Sequence, residues 1–171
     1  MFRDWEWLDG WEHEVVDLWR DVSLHECVSY LKLALNDHKL PFTPGEKTSH
    51  MFQEVLEYHS VSQVYSFIWR AAKDAAAFFT RERVPKSHAA NTVVGAIRRA
   101  AERAHANGWE IRHYGRDRRL PESVLNQVLF NRVLQVGDEG FNSVPYWWEM
   151  DSSSQTEEEE PIEVMDPPQG M

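Results

Sequence analysis

Residues 60–108, SVSQVYSFIWRAAKDAAAFFTRERVPKSHAANTVVGAIRRAAERAHANG, carry two amphipathic helical patterns parted by a turn too short for anything but a helix hairpin. Ser60 with Gln63 three positions on is a capping-box pair, and Val64, Tyr65, Ile68, Ala71, Ala72, Ala75, Phe78 and Phe79 then recur at helical spacing, so a helix is expected over 61–83. After Val84-Pro85-Lys86, Ser87 reads as an N-cap. Ala89, Ala90, Val93, Val94, Ile97, Ala100, Ala101 and Ala104 line a second helix over 87–107, stopped by Asn107-Gly108. Alanines on both facing stripes let the two axes approach closely, with Trp69 and the Phe and Ile side chains filling the flanks. This hairpin is expected at the centre of the core.

The same logic extends outward. Trp7, Trp11, Val15, Leu18 and Trp19 mark a helix over 4–20. Ser23 with Glu26 repeats the capping pattern ahead of Leu24, Cys27, Val28, Leu31, Ala34 and Leu35, which places a second helix ending near Asp37. Thr43, with Pro44 as first helical residue, opens a third that ends near His59. Beyond the hairpin, residues 109–114 alternate apolar and polar as a short extended segment does, and Gly115 to Leu120 form a basic loop. Pro121 opens a last helix through Val124, Leu125, Val128, Leu129, Val133 and Leu134, closed by Gly137. The expectation is an all-α bundle of about six helices over residues 1–142. Residues 143–171, with four consecutive glutamates and little to bury, are expected to be a disordered acidic tail.

A chain of 171 residues suits a single domain. Cys27 is the sole cysteine, which excludes an internal disulfide and a multi-cysteine metal site. The charged N-terminus has no apolar signal region, and no long apolar run is present, so an intracellular, soluble protein away from membranes is expected. The eight histidines form no HExxH or paired spacing, so neither a metal nor a cofactor is expected.

Charge is segregated along the chain. Residues 1–69 hold 12 acids and 5 bases, residues 70–119 hold 5 and 12, and residues 120–171 hold 11 and 1. The middle zone supplies the candidate binding residues Arg81, Arg83, Lys86, Arg98, Arg99, Arg103, Arg112, Arg116, Arg118 and Arg119, with Tyr114 among them. Arginine suits phosphate, and an interleaved aromatic suits base stacking, so nucleic acid is one candidate partner for segment 81–119. Neutralising the acidic zones of this molecule, or of a second copy, is the competing role. Eight tryptophans exceed what one such core needs. Trp5, Trp7, Trp11, Trp147 and Trp148 are therefore candidate protein contacts.

Three short patterns resemble known motifs. Arg20 and His25, separated by four residues, are spaced as in HEPN-type ribonucleases, a resemblance that implies an all-helical nuclease. Leu129, Val133, Val136, Gly137, Asp138 and Glu139 resemble the docking helix of Bcl-family death regulators, although Gly140 stands where that motif has an apolar residue. Pro161-Ile-Glu-Val-Met-Asp166, behind the glutamates, resembles a SUMO-interacting motif, which implies strand addition through Ile162 and Val164. Serine and threonine with acids three residues on, as in Ser154–Glu157 and Thr156–Glu159, suit acid-directed kinases. An ordinary turn, an ordinary helix end and a solubilising tail account for the same residues. The function expected is a non-enzymatic helical adaptor or regulator that binds a protein partner or itself. Nucleic-acid binding is the alternative, and a HEPN-like ribonuclease stands third.

Overall fold

The structure, a computed structural model, describes residues 10–145. Over that range the protein is all-helical, with no strand among the described residues: α1 Glu12–Asp37, α2 Glu46–Leu56, α3 Val61–Glu82, α4 Lys86–Ala106, α5 Val124–Gln127 continued by a π-helical stretch Val128–Val133, and α6 Glu139–Asn142. No helix among them is long and apolar enough to cross a membrane. Most of the acidic tail, residues 146–171, lies outside the described residues, as do Trp5, Trp7, Trp147, Trp148, Ile162 and Val164.

The hairpin forms as its sequence dictates. Ser60 Oγ accepts from Gln63 N at 3.4 Å, and Gln63 Oε1 accepts from Ser60 N at 3.1 Å, which closes the capping box of α3. Arg83, in the left-handed region at φ 53°, ends that helix. Pro85, rather than Ser87, precedes the first residue of α4, since a proline loses no hydrogen bond there. Ala71, Ala72 and Ala75 of α3 and Ala89, Ala90, Ala101 and Ala104 of α4 are buried in the main core. α3 is the central helix, with α4 along one side and α1 along another, while α2 bridges α1 and α4. Tyr65 of α3 stacks on Tyr30 of α1 with ring centroids 3.9 Å apart.

Other expectations change, beginning with α2, where Gly45 and not Thr43 precedes the first helical residue, Glu46. The two helices expected over 4–20 and 23–37 are one, with its described start at Glu12 and a length of about 39 Å. No Gly or Pro interrupts residues 12–37, and the buried positions Val16, Trp19, Ser23, Cys27, Leu31 and Ala34 hold one helical phase throughout. Ser23 is thus a buried mid-helix residue, not a cap, and its hydroxyl finds no partner. The stretch 109–114 is irregular backbone; it is held by Tyr114 N donating to Ser62 O at 2.9 Å rather than by a strand. The last helix starts later, with Ser123 Oγ accepting from Asn126 N, and widens into π geometry where Leu134 N reaches Leu129 O at 2.7 Å. Gln135, at φ 52°, ends it before Gly137 does. A smaller core results, in which Trp19 and Val22 of α1 meet Leu129, Phe130, Leu134 and Val136.

Candidate functional site

Residues 107–123 connect α4 to α5 without regular structure, and three long-range ties hold them in place. Ser62 Oγ lies 2.7 Å from His113 Nδ1. Arg116 grips Glu26 through Nε and one terminal nitrogen at 3.2 and 3.4 Å and pairs with Glu122 at 3.3 Å. Arg119 forks onto Asp37 at 2.7 and 2.9 Å and also holds Asp117. These bonds draw Asp117 down to about 2 and push Asp37 below the ordinary carboxylate range. Glu26 goes the other way, because burial outweighs the guanidinium beside it. Two carboxylates, Glu26 and Glu122, therefore share one arginine, while Asn126 Nδ2 donates to Glu26 and leaves its buried Oδ1 unpaired.

Arg116 is a wall between two clefts. The first, of about 500 Å³, lies between α1 and α5 and is lined by Val22, Tyr65, Leu120, Pro121 and Leu125, with Asp21, His25 and Glu26 at its polar side. Beside it α5 and the first residue of the π-helical stretch present Val124, Leu125 and Val128, which are 76%, 49% and 45% exposed. At helical spacing these three form one aliphatic face. The second cleft, of about 540 Å³, lies between α1, α3 and the connecting loop. Trp69, Tyr114 and Tyr30 supply its rings, Ala34 and Ala72 leave room, and Lys73 stands at its side. Trp69 does not fill the flank of the core as expected; it is 41% exposed, with Lys73 Nζ 4.3 Å from its ring centre.

The basic residues do not converge on one surface. Arg81, Arg83 and Lys86 sit at the turn of the hairpin, a full α4 length of about 30 Å from the start of the 112–119 loop. Arg81 pairs with the adjacent Glu82, Arg98 with Glu54 of α2 at 2.6 Å, and Arg103 donates to the backbone of Arg99. Arg98, Arg116 and Arg119 are thus bound to acids of α2, α1 and the loop. Arg83, Arg99, Arg112 and Arg118 are exposed, with no carboxylate partner among the described residues.

The motif-like spacings fare differently from one another. Arg20 and His25 are both exposed on one unbroken helix, five residues and so about 140° apart around its axis, with Arg20 bonded to Asp17 at 3.1 Å. In the Bcl-like stretch, Leu129 and Val136 are buried in the smaller core and the helix stops at Val133, so the segment presents no continuous apolar stripe. Gly140 is the residue that lets Phe130 pack there, since a Cβ would enter the space of the Phe130 ring. Trp11 is exposed just ahead of α1. No cluster of His, Cys, Asp or Glu among the described residues has the make-up of a metal site.

The aliphatic face of α5 is not marked in the sequence, where Val124, Leu125 and Val128 share one helical pattern with Leu129, Val133 and Leu134. Their i, i+1, i+4 spacing was visible, but which side of a helix faces inward depends on where the chain enters. No protein-family model matches the chain, and no curated protein or solved structure matches it significantly.

Proposed function

We propose that this domain is a non-enzymatic helical adaptor that docks a protein partner on the aliphatic face of α5 and the adjoining cleft. The observation that carries this reading is the exposure of Val124, Leu125 and Val128 side by side, next to a cleft walled by Leu120, Pro121 and Tyr65. Contiguous exposed aliphatic side chains beside a concavity mark interaction surfaces rather than ordinary protein exterior. The rim selects the partner. Asp21 and Glu26 line the cleft, Arg116 ties Glu26 to Glu122 behind it, and Asp17 of α1 and Glu57 just past α2 line the neighbouring cleft together with Arg20. The partner segment is therefore amphipathic, aliphatic on one side and basic along its edges. The acidic tail of the same chain has the wrong sign for this cleft.

A labelled Leu/Lys amphipathic helical peptide and a scrambled peptide of the same composition form the test, read by fluorescence anisotropy on the whole chain. The patterned peptide is expected to bind at least about tenfold more tightly than the scramble, and Val124→Ser with Val128→Ser to remove that difference without lowering thermal stability. Equal binding of the two peptides, or binding indifferent to the serine pair, would overturn the proposal. A dimer in light scattering that the serine pair dissolves would assign the face to a second copy instead.

A further inference from the structure

The second cleft goes beyond that reading, and from it we infer a site for a nucleobase carrying a phosphate, with Trp69 as its stacking platform. Two rings and two cations stand in a row. Lys73 Nζ is 4.3 Å from the Trp69 ring centre, Trp69 is 5.9 Å from Tyr114, and the Arg112 guanidinium is 5.6 Å from Tyr114 on the loop. These residues come from α3 and from a loop that the pairs Ser62–His113 and Asp37–Arg119 hold in place, so the row is set by the fold rather than by neighbouring sequence. Trp69 is open to solvent over 41% of its surface in a cleft of about 540 Å³, a volume suited to a small organic ligand. Ala34 and Ala72 line the same cleft, and at neither position does a long side chain occupy the space a flat ring needs.

The charge pattern picks out the ligand class. Asp37 and Asp117, which line the cleft, are both held by Arg119, while Lys73 beside Trp69 and Arg112 beside Tyr114 have no carboxylate partner among the described residues. An acidic peptide would use these cations and ignore the rings. An apolar peptide would use the rings and desolvate the cations. A nucleobase uses both: it takes the place of the Lys73 ammonium on the Trp69 face, and the displaced ammonium, with Arg112 beside Tyr114, meets the phosphate. The shared chemistry is base plus phosphate, which a free nucleotide and a single strand both offer.

Binding of the whole chain to a short fluorescein-labelled oligothymidylate, with thymidine monophosphate as competitor, decides the matter. Trp69→Ala is expected to weaken binding about tenfold while Trp69→Phe largely keeps it, and Lys73→Ala and Arg112→Ala each to lower the salt slope by about 1. Arg81→Ala, at the far end of the hairpin, is expected to change nothing. Competition by the monophosphate at concentrations near the oligonucleotide's own would identify a free-nucleotide site, and its absence a single-strand site; either result carries the proposal. Failure of both ligands to bind overturns it. So does an equal loss from Arg81→Ala and Trp69→Ala, which would be generic electrostatics. Binding of an oligoglutamate peptide that is indifferent to Trp69→Ala would assign the cations to an acidic protein instead.

Discussion

Arg116 holds Glu26 across 90 residues of sequence, and its guanidinium also stacks 4.5 Å from the ring centre of Phe141, so one side chain joins α1, the connecting loop and α6. Its own exposure is only 20%, and that of Glu26 is 13%. Removing the cation leaves Glu26 and Glu122 facing each other in a partly dry site. Arg116→Ala is therefore expected to cost about 3 kcal/mol, the lower end for breaking a buried pair because solvent reaches this one. Urea denaturation measures it. Adding Glu26→Gln should recover part of the loss, and a loss that stays unchanged in the double variant would place the effect in the Phe141 contact.

Ser23 tests the unbroken α1 by the sign of one substitution. A serine that capped a helix would cost about 1 kcal/mol on replacement by alanine. Ser23 is buried mid-helix with an unpartnered hydroxyl, so Ser23→Ala removes a desolvated polar group and improves helix propensity. A gain of about 1 kcal/mol is expected in thermal or urea unfolding.

Gly140 is constrained by what rests on it. Its carbonyl accepts from Trp19 Nε1 at 3.1 Å, and the Phe130 ring, edge-on to Trp19 with centroids 5.3 Å apart, fills the space of a Cβ. Gly140→Ala should push Phe130 off Trp19 and destabilise the smaller core by about 2 kcal/mol, the usual cost of overpacking. A blue-shifted buried tryptophan signal that moves to longer wavelength would report the same displacement, and Phe130→Leu in the alanine background should restore part of the stability.

His59 makes stability depend on pH. It is buried, its Nε2–H donates to Ala101 O at 3.1 Å, and burial lowers its pKa below the ordinary 6.5 in spite of that bond, with His105 adding to the shift. The unfolded chain takes up this proton below about 6.5 and the folded chain resists it, so the unfolded state gains protons first and stability falls as pH drops from 7 towards 5. Urea midpoints across that range should decline, and His59→Gln should flatten the decline. The carboxylates of Asp37 and Asp117, whose values are depressed, add their own loss only nearer pH 4 and below.

The hairpin and the all-α class were legible in the sequence because they rest on local chemistry: a capping box at Ser60 and Gln63, two stripes of alanine and larger apolar residues, and Pro85 in a turn too short for anything else. Where local signals are permissive, they misled. Ser23 with Glu26 has the form of a capping box, yet the apolar phase running past it was the stronger constraint, because burying a whole stripe outweighs one cap. The sites were less legible still. Tyr114, Arg116 and Arg119 could be named from composition, but whether each meets an acid, a ring or solvent depends on partners far along the chain, at Ser62, Glu26 and Asp37. Only the packing of the 107–123 connection against α1 and α3 decided that Arg116 and Arg119 are tied down, that Trp69 stands open beside Lys73, and that the aliphatic side of α5 faces out. Such outcomes follow from which surfaces the larger core covers, and no pattern along the chain carries that.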